Sequence, residues 1–234
     1  MINIEAVASG SKGNFYILES NSGKLLIECG IKIKKIKKTL DFNLASVDGA
    51  LLSHFHGDHS KSVKKITSFG VDVYTSPETI EALGISNHRL NPVKQLEQFN
   101  LGSWTILPFP TKHDVAGSLG FLVINEIGER LLFATDTYYL KYRFKDLNVI
   151  MIECNYAKDI LDKNVRSGRV PASRKKRVIQ SHFSLENVKD FLRANDLSQL
   201  QEIHLLHLSN DNSDAERFKR EIQQLAGIPV YIAE

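Results

Sequence analysis

Apolar positions recur along this chain with two periods, and the changes of period mark out its elements. Ile2-Asn3-Ile4-Glu5-Ala6-Val7 alternates like a half-buried first strand. Phe15-Tyr16-Ile17-Leu18 and Leu25-Leu26-Ile27-Glu28-Cys29-Gly30 are apolar runs of strand length, the former entered through the polar turn 9–14. Ile33, Ile36 and Leu40 then recur at helical spacing with lysines between them, predicting an amphipathic helix with a basic outer face. Residues 47–52 read as a short strand, 60–69 as a helix and 71–74 as a strand. Ser76-Pro77 opens a helix, because serine caps free N–H groups and proline suits the first turn. Residues 87–100 carry no period and are expected to be irregular.

The second half repeats the style. Strands are predicted at 104–109, 121–124, 130–134, 149–152, 203–208 and 229–232, and helices at 184–195 and 214–225. A basic loop is expected at 166–177. Strands dominate each half and helices follow each strand set. That pattern predicts an α+β chain, an αββα sandwich of two mixed β-sheets packed face to face with helices on the outer faces. One domain is expected over residues 1–234, since 234 residues bury a substantial core and neither a linker nor an internal repeat interrupts them.

The chemistry gathers at Ser53-His54-Phe55-His56-Gly57-Asp58-His59, where a strand passes into a helix. Imidazole suits zinc and similar ions, and carboxylate suits harder ones and can bridge two. In an extended segment His54 and His56 point the same way and can grip one ion. Gly57 lets the chain turn so that Asp58 and His59 can face a second. Four ligand-type side chains in six residues mark a metal site.

The motif resembles the H-x-H-x-D-H signature of the metallo-β-lactamase-fold hydrolases and matches it in full. The resemblance implies partners downstream. His113, Asp136 and His207, each where an apolar strand ends, match the family's lone His, bridging Asp and terminal His. It further implies that His54, His56 and His113 hold one ion, that Asp58, His59 and His207 hold the other, and that Asp136 bridges them. Glu28 stands where the family keeps an aspartate that supports the histidines, one methylene longer. His182-Phe183-Ser184 and His207-Leu208-Ser209 resemble the paired His-x-Ser/Thr elements of the RNase Z-like branch, in which the earlier His serves the scissile phosphate. The Ser-Gly-Ser-Lys-Gly-Asn turn and Ser167-Gly168-Arg169 make the chain similar to the YycJ/WalJ-type branch, which implies exonuclease action on DNA.

Charge sharpens the substrate. The net charge is only +3, but lysines crowd 32–38 and 61–65, and Arg166, Arg169 and 174–177 form a third basic cluster. Such clusters favour a phosphate-bearing substrate, with Lys12, Arg169 and Ser209 as candidate contacts. The expected activity is therefore two-metal phosphodiester hydrolysis, with Zn2+ ahead of Mn2+, and with Asp58, Asp136 and His182 in catalytic roles. The leading substrate is DNA ahead of RNA. The alternatives are a phosphodiesterase for cyclic nucleotides and a non-catalytic, metal-stabilised nucleic-acid-binding module. The start, Met1-Ile2-Asn3-Ile4-Glu5, lacks the regions of a signal peptide, and no apolar run of membrane-spanning length exists. Cys29 and Cys154, both at ends of apolar runs, read as buried free thiols. A cytoplasmic protein without membrane association is expected, and a homo-oligomer is compatible with the sequence.

Overall fold

The computed structural model describes residues 1–233. Its contacts divide the chain into two compact units: Met1–Pro110 with Val115–Glu129, and Thr111–Asp114 with Arg130–Ala233.

The first unit begins with β1 (Asn3–Ala8), β2 (Phe15–Glu19) and β3 (Lys24–Ile27), paired antiparallel. Helix α1 (Ile33–Thr39) then crosses over, so that β4 (Gly49–Leu51) pairs parallel to β3. The short helices α2 (Gly57–Ser60) and α3 (Val63–Ser68) lead to β5 (Val73–Thr75), and α4 (Pro77–Leu83) leads to β6 (Leu90–Pro92), both strands again parallel. The order of this mixed six-stranded sheet is β1 to β6. Phe15, Leu26, Ile36, Leu52, Ile66 and Val73 anchor its core, which explains why α1 turns its isoleucines inward and its lysines out. Ser76 caps α4 as expected, its hydroxyl accepting from Thr79 N–H. Strands β7 (Phe99–Leu101), β8 (Trp104–Pro110) and β9 (Leu119–Ile124) complete the unit as an antiparallel meander.

The second unit holds β10 (Arg130–Ala134), β11 (Val149–Glu153), β12 (Glu202–Leu206) and β13 (Val230–Ile232), which pair parallel to one another. Strand β11 is buried along its whole length, as a central parallel strand must be. Between β11 and β12 run α5 (Lys158–Arg166), α6 (Ala172–Ser181) and α7 (Leu185–Ala194), and α8 (Ala215–Ala226) precedes β13. The second sheet, order β13-β12-β11-β10-β9-β8-β7, is mixed like the first. Two mixed sheets with helices are the α+β layered architecture that the periodicity predicts.

Two expectations are corrected. Residues 87–100 contain the three-residue strand β6 and the first two residues of β7. The basic stretch 166–177 is a loop only over 167–171, because Arg166 ends α5 and residues 172–177 belong to α6. Tyr156, Leu161 and Val170, with Val165 and Val178 against them, form an apolar cluster beneath α5 and α6. Cys29 and Cys154 are buried and free. Burial pushes both thiols far above their ordinary range, so they are poor nucleophiles. No helix among the described residues is long and apolar enough to cross a membrane.

Candidate metal centre

Ligand-type side chains sit where parallel strands end. In the first unit, β4 delivers the motif: Leu51 and Leu52 are buried, and the chain then turns through Ser53–His56 into α2. His54 Nε2 faces His56 Nδ1 at 3.0 Å, so at most one of these nitrogens carries a proton there. His54 and His59 are fully buried, with ring centroids 4.3 Å apart. His59 Nε2 lies 3.5 Å from Asp58 Oδ2. Glu28, just past β3, is fully buried and brings Oε1 within 3.4 Å of His59 Nδ1. Glu28, expected to support the histidines, thus stands beside one of them. Its backbone adopts φ +65°, a left-handed conformation uncommon for glutamate.

The glycine-rich turn before β2 buttresses this segment. Asn14 is fully buried; its N–H and its Nδ2 both donate to Asp58 O, and Nδ2 also lies 3.1 Å from His59 Nε2. Its Oδ1 accepts from Gly10 N–H and from the Tyr16 hydroxyl. Gly30 completes the fit, since a Cβ there would lie 1.6 Å from Asp58 O. No side chain is tolerated at such an approach.

In the second unit three neighbouring parallel strands end in Asp136, Glu153 and His207. The register pairs Ala134 with Ile152 and Glu153 with Leu206, which sets these side chains one strand spacing apart. Asp136 and His207 adopt φ of +43° and +51°, strain of the kind that gathers at functional sites. His182, at the C-terminal end of α6, joins them. Asp136, Glu153, His182 and His207 each offer a donor atom, all within 4.8 Å of one another. His113 Nε2 is 3.7 Å from Asp136 Oδ2, and its Nδ1 is 3.2 Å from Ser181 O. Asn155 donates to His207 O and holds Nδ2 3.2 Å from His207 Nδ1. Clustered imidazoles and carboxylates, buried and tied from behind by hydrogen bonds, are a donor set that divalent ions fit.

Glu153 is the hub of this cluster. Fully buried, it accepts from Thr137 N–H and Phe183 N–H, and its Oε1 lies 2.6 Å from His182 Nδ1. Burial holds its carboxyl above the usual carboxylate range, against the pull of the His182 charge. Burial also acts to lower the pKa of His182, but the charge of Glu153 and contacts with Asp136 and Glu153 outweigh it. The ring is pushed up to about 11. Glu153 and His182 thus form one close ionisable pair beside Asp136.

The description "Beta-lactamase superfamily domain" belongs to the family model that matches residues 24–205, well over half of the chain. The chain belongs to the β-lactamase superfamily. It is similar to the exodeoxyribonuclease YycJ of Bacillus anthracis, 26% identical over 242 residues that cover 96% of this chain and 89% of that protein. It is also similar to the exodeoxyribonuclease WalJ of Streptococcus pneumoniae, 27% identical over 225 residues, 88% of this chain and 81% of that protein. Among solved structures, the metallo-β-lactamase fold protein YhfI from Bacillus subtilis superposes with a TM-score of 0.79. It is 15% identical and covers 100% of this chain and 97% of that one. The β-lactamase superfamily chain is thus a metal-dependent hydrolase with the metallo-β-lactamase fold.

Within this superfamily protein the first unit gathers His54, His56, Asp58, His59 and Glu28. The second gathers His113, Asp136, His182 and His207. Of the candidate substrate contacts, Lys12 and Arg169 are exposed, whereas the Ser209 hydroxyl accepts from Asn212 N–H within its own turn. Sequence reasoning missed Glu153, Asn14 and Asn155. The one signal for Glu153 was a carboxylate closing a wholly apolar strand.

Proposed function

We propose that this metallo-hydrolase cleaves phosphodiester bonds, with DNA as substrate and an exonuclease mode of action. The observation that carries the reading is the His182–Glu153 pair beside Asp136. It fixes an imidazole, hydrogen-bonded to a buried carboxylate, beside Asp136 at the end of the second sheet's parallel strands. Such a group serves an anionic phosphoryl centre better than a neutral acyl one. The two relatives YycJ and WalJ, both named exodeoxyribonucleases, support DNA as the polymer.

Two divalent ions, Zn2+ in first place and Mn2+ in second, would be held by His54, His56 and His113, by Asp58, His59 and His207, and by Asp136 as the shared ligand. When bound, they supply Lewis acidity toward phosphoryl oxygens and make water acidic enough to act near neutral pH. Asp58 orients the attacking water. His182, kept charged by Glu153, stabilises the developing charge and gives its Nε2 proton to the leaving oxygen. Lys12, Arg169 and the cations of α6 receive flanking phosphates, and Ser209 lines the path.

One panel tests the reading: single-stranded DNA, duplex DNA, RNA and 2′,3′- and 3′,5′-cyclic nucleotides, each with Zn2+ and with Mn2+. DNA shortened progressively from an end is the expected result. Cleavage of cyclic nucleotides alone would transfer the chemistry to small substrates. Tight DNA binding without any cleavage would reduce the protein to a binding module. Asp136→Ala should lose at least one of two bound ions by metal analysis, and unchanged content would sink the bridging assignment.

A further inference from the structure

A cleft of about 380 Å³ opens in the second unit between the irregular segment 138–143 and α7. That size falls in the range of small-molecule pockets, roughly 300–1,000 Å³. Its walls are aromatic. Tyr138 and Tyr139 are exposed, Phe183 and Phe191 are buried, and Tyr142 completes the aromatic lining. Lys141 and Arg143 add two exposed cations to the rim.

Its position is tied to the catalytic cluster through the chain itself. Tyr138 follows Asp136 by two residues, and Phe183 follows His182 directly. Both attachments are hydrogen-bonded. Tyr138 N–H donates to Lys112 O next to His113, Tyr138 O accepts from Asn187 Nδ2, and Phe183 N–H is held by Glu153. The cleft is thus lined by residues that closely follow Asp136 and His182 in the chain, and by α7 as far as Asn195.

We propose that this cleft receives the nucleoside adjoining the scissile phosphate at a single-stranded end, with its base stacked on the tyrosines and the next phosphate on Lys141 and Arg143. Aromatic faces interleaved with cations are the general means of gripping single strands, because every base has a π-face and every linkage a charge. A base paired within a duplex cannot enter such a pocket without leaving its stack. The cleft's polar side chains are already committed. Asn187 donates to Tyr138 O, Asn195 joins Phe144 N–H to Phe191 O, and Asp190 pairs with Arg193. Little remains to read base edges, so recognition is by stacking and tolerates all four bases.

The inference rests on the phosphodiesterase reading, and two measurements separate their failures. The first compares hydrolysis of thymidine 5′-(p-nitrophenyl phosphate) and methyl p-nitrophenyl phosphate, which share a leaving group and differ by the nucleoside. Tyr139→Ala should lower the ratio of kcat/KM, nucleoside ester over methyl ester, by about tenfold, while Tyr139→Phe keeps the ratio because the ring stacks without its hydroxyl. An unchanged ratio in Tyr139→Ala overturns the proposal, including the case where both esters slow equally through a structural defect. The second measures binding of dAMP, dCMP, dGMP and dTMP to the metal-loaded protein by calorimetry, which requires no turnover. Binding of all four within a few-fold, weakened about tenfold by Tyr139→Ala, supports the cleft even if no ester is cleaved, and that outcome would sink only the phosphodiesterase reading. Absence of nucleotide binding at millimolar concentration overturns the cleft, whatever is cleaved.

Discussion

At the level of single residues, the ligand motif was legible because its chemistry is dense, whereas its supports were hidden because theirs is ordinary. Four ligand-type side chains in six residues seldom gather without an ion to hold, but Asn14 reads as a turn residue and Glu153 as the polar end of an apolar strand. Only the register of β10, β11 and β12 sets Glu153 between Asp136 and His207. Its two carboxylate oxygens engage Thr137 N–H, Phe183 N–H and His182 at once. The neutral isostere in Glu153→Gln keeps the shape and removes the charge that protonates His182. Turnover of the best substrate should fall about 10²–10⁴-fold, the usual span for loss of general-acid function, with metal content unchanged. His182→Ala should behave alike in steady-state rates. Loss of metal in His182→Ala would instead make His182 a ligand and remove the proton-donor role. Gly30→Ala tests the opposite kind of residue. It forces a Cβ against Asp58 O, so metal occupancy should drop although no ligand has been altered.

At the level of elements, long periodic segments were readable and short or charge-masked ones were not. β6 is Leu90–Pro92, an edge strand whose asparagine and proline argue against any strand, and such residues are tolerated only at an edge. α6 was hidden by its cations. Arg174, Lys175, Lys176 and Arg177 interrupt the apolar period, and the helix is anchored by few residues, Val178 among them. Lys175 is paired with Asp162 of α5 and Arg177 with Asp114, while Arg174 and Lys176 are exposed. An exposed cationic helix leading straight into His182 is suited to the phosphates beyond the cut. The Arg174→Ala/Lys176→Ala double variant should weaken single-stranded DNA binding nearly equally for all sequences. It should also flatten the slope of log affinity against log salt by about 1.4, roughly 0.7 per lost phosphate contact. An unchanged slope in fluorescence anisotropy titrations would take α6 out of the DNA path. The next element depends on one hydroxyl: Ser184 Oγ accepts from Asn187 N–H at the buried start of α7. Ser184→Ala should cost about 1 kcal/mol in urea unfolding.

At the scale of the whole molecule, alternation, apolar runs and helical spacing together were enough for the two-sheet fold class. The division into two compact units was not, because it depends on which strands contact which. Stability at this scale has an electrostatic component in the second unit. Arg217 on α8 binds Asp159 of α5 through Nη1 at 2.7 Å and Glu221 of its own helix through Nε at 2.7 Å, and Lys189 of α7 also pairs with Glu221. Hydrogen bonds from Arg217 hold the Asp159 carboxyl below its ordinary value of 3.8, and those from Lys189 and Arg217 hold Glu221 below 4.5. A carboxylate with a depressed folded pKa contributes stability that is complete above its unfolded pKa and vanishes as pH falls through the folded one. The network's contribution should therefore be constant from neutrality down to about pH 4.5 and decline below it. These side chains reach solvent, Asp159 most of all, so each pair adds only about 0.2–1 kcal/mol, and less in high salt. Thermal melts of the wild type should show a Tm that drops below pH 4.5, as other carboxylates also protonate. Arg217→Ala should start lower at pH 7 and lose less between pH 4.5 and pH 3, so that the two curves converge in acid. Added 1 M salt should shrink the gap at pH 7. Parallel curves across the whole range would mean that Arg217 stabilises α8 by packing its aliphatic stem and not through its charge.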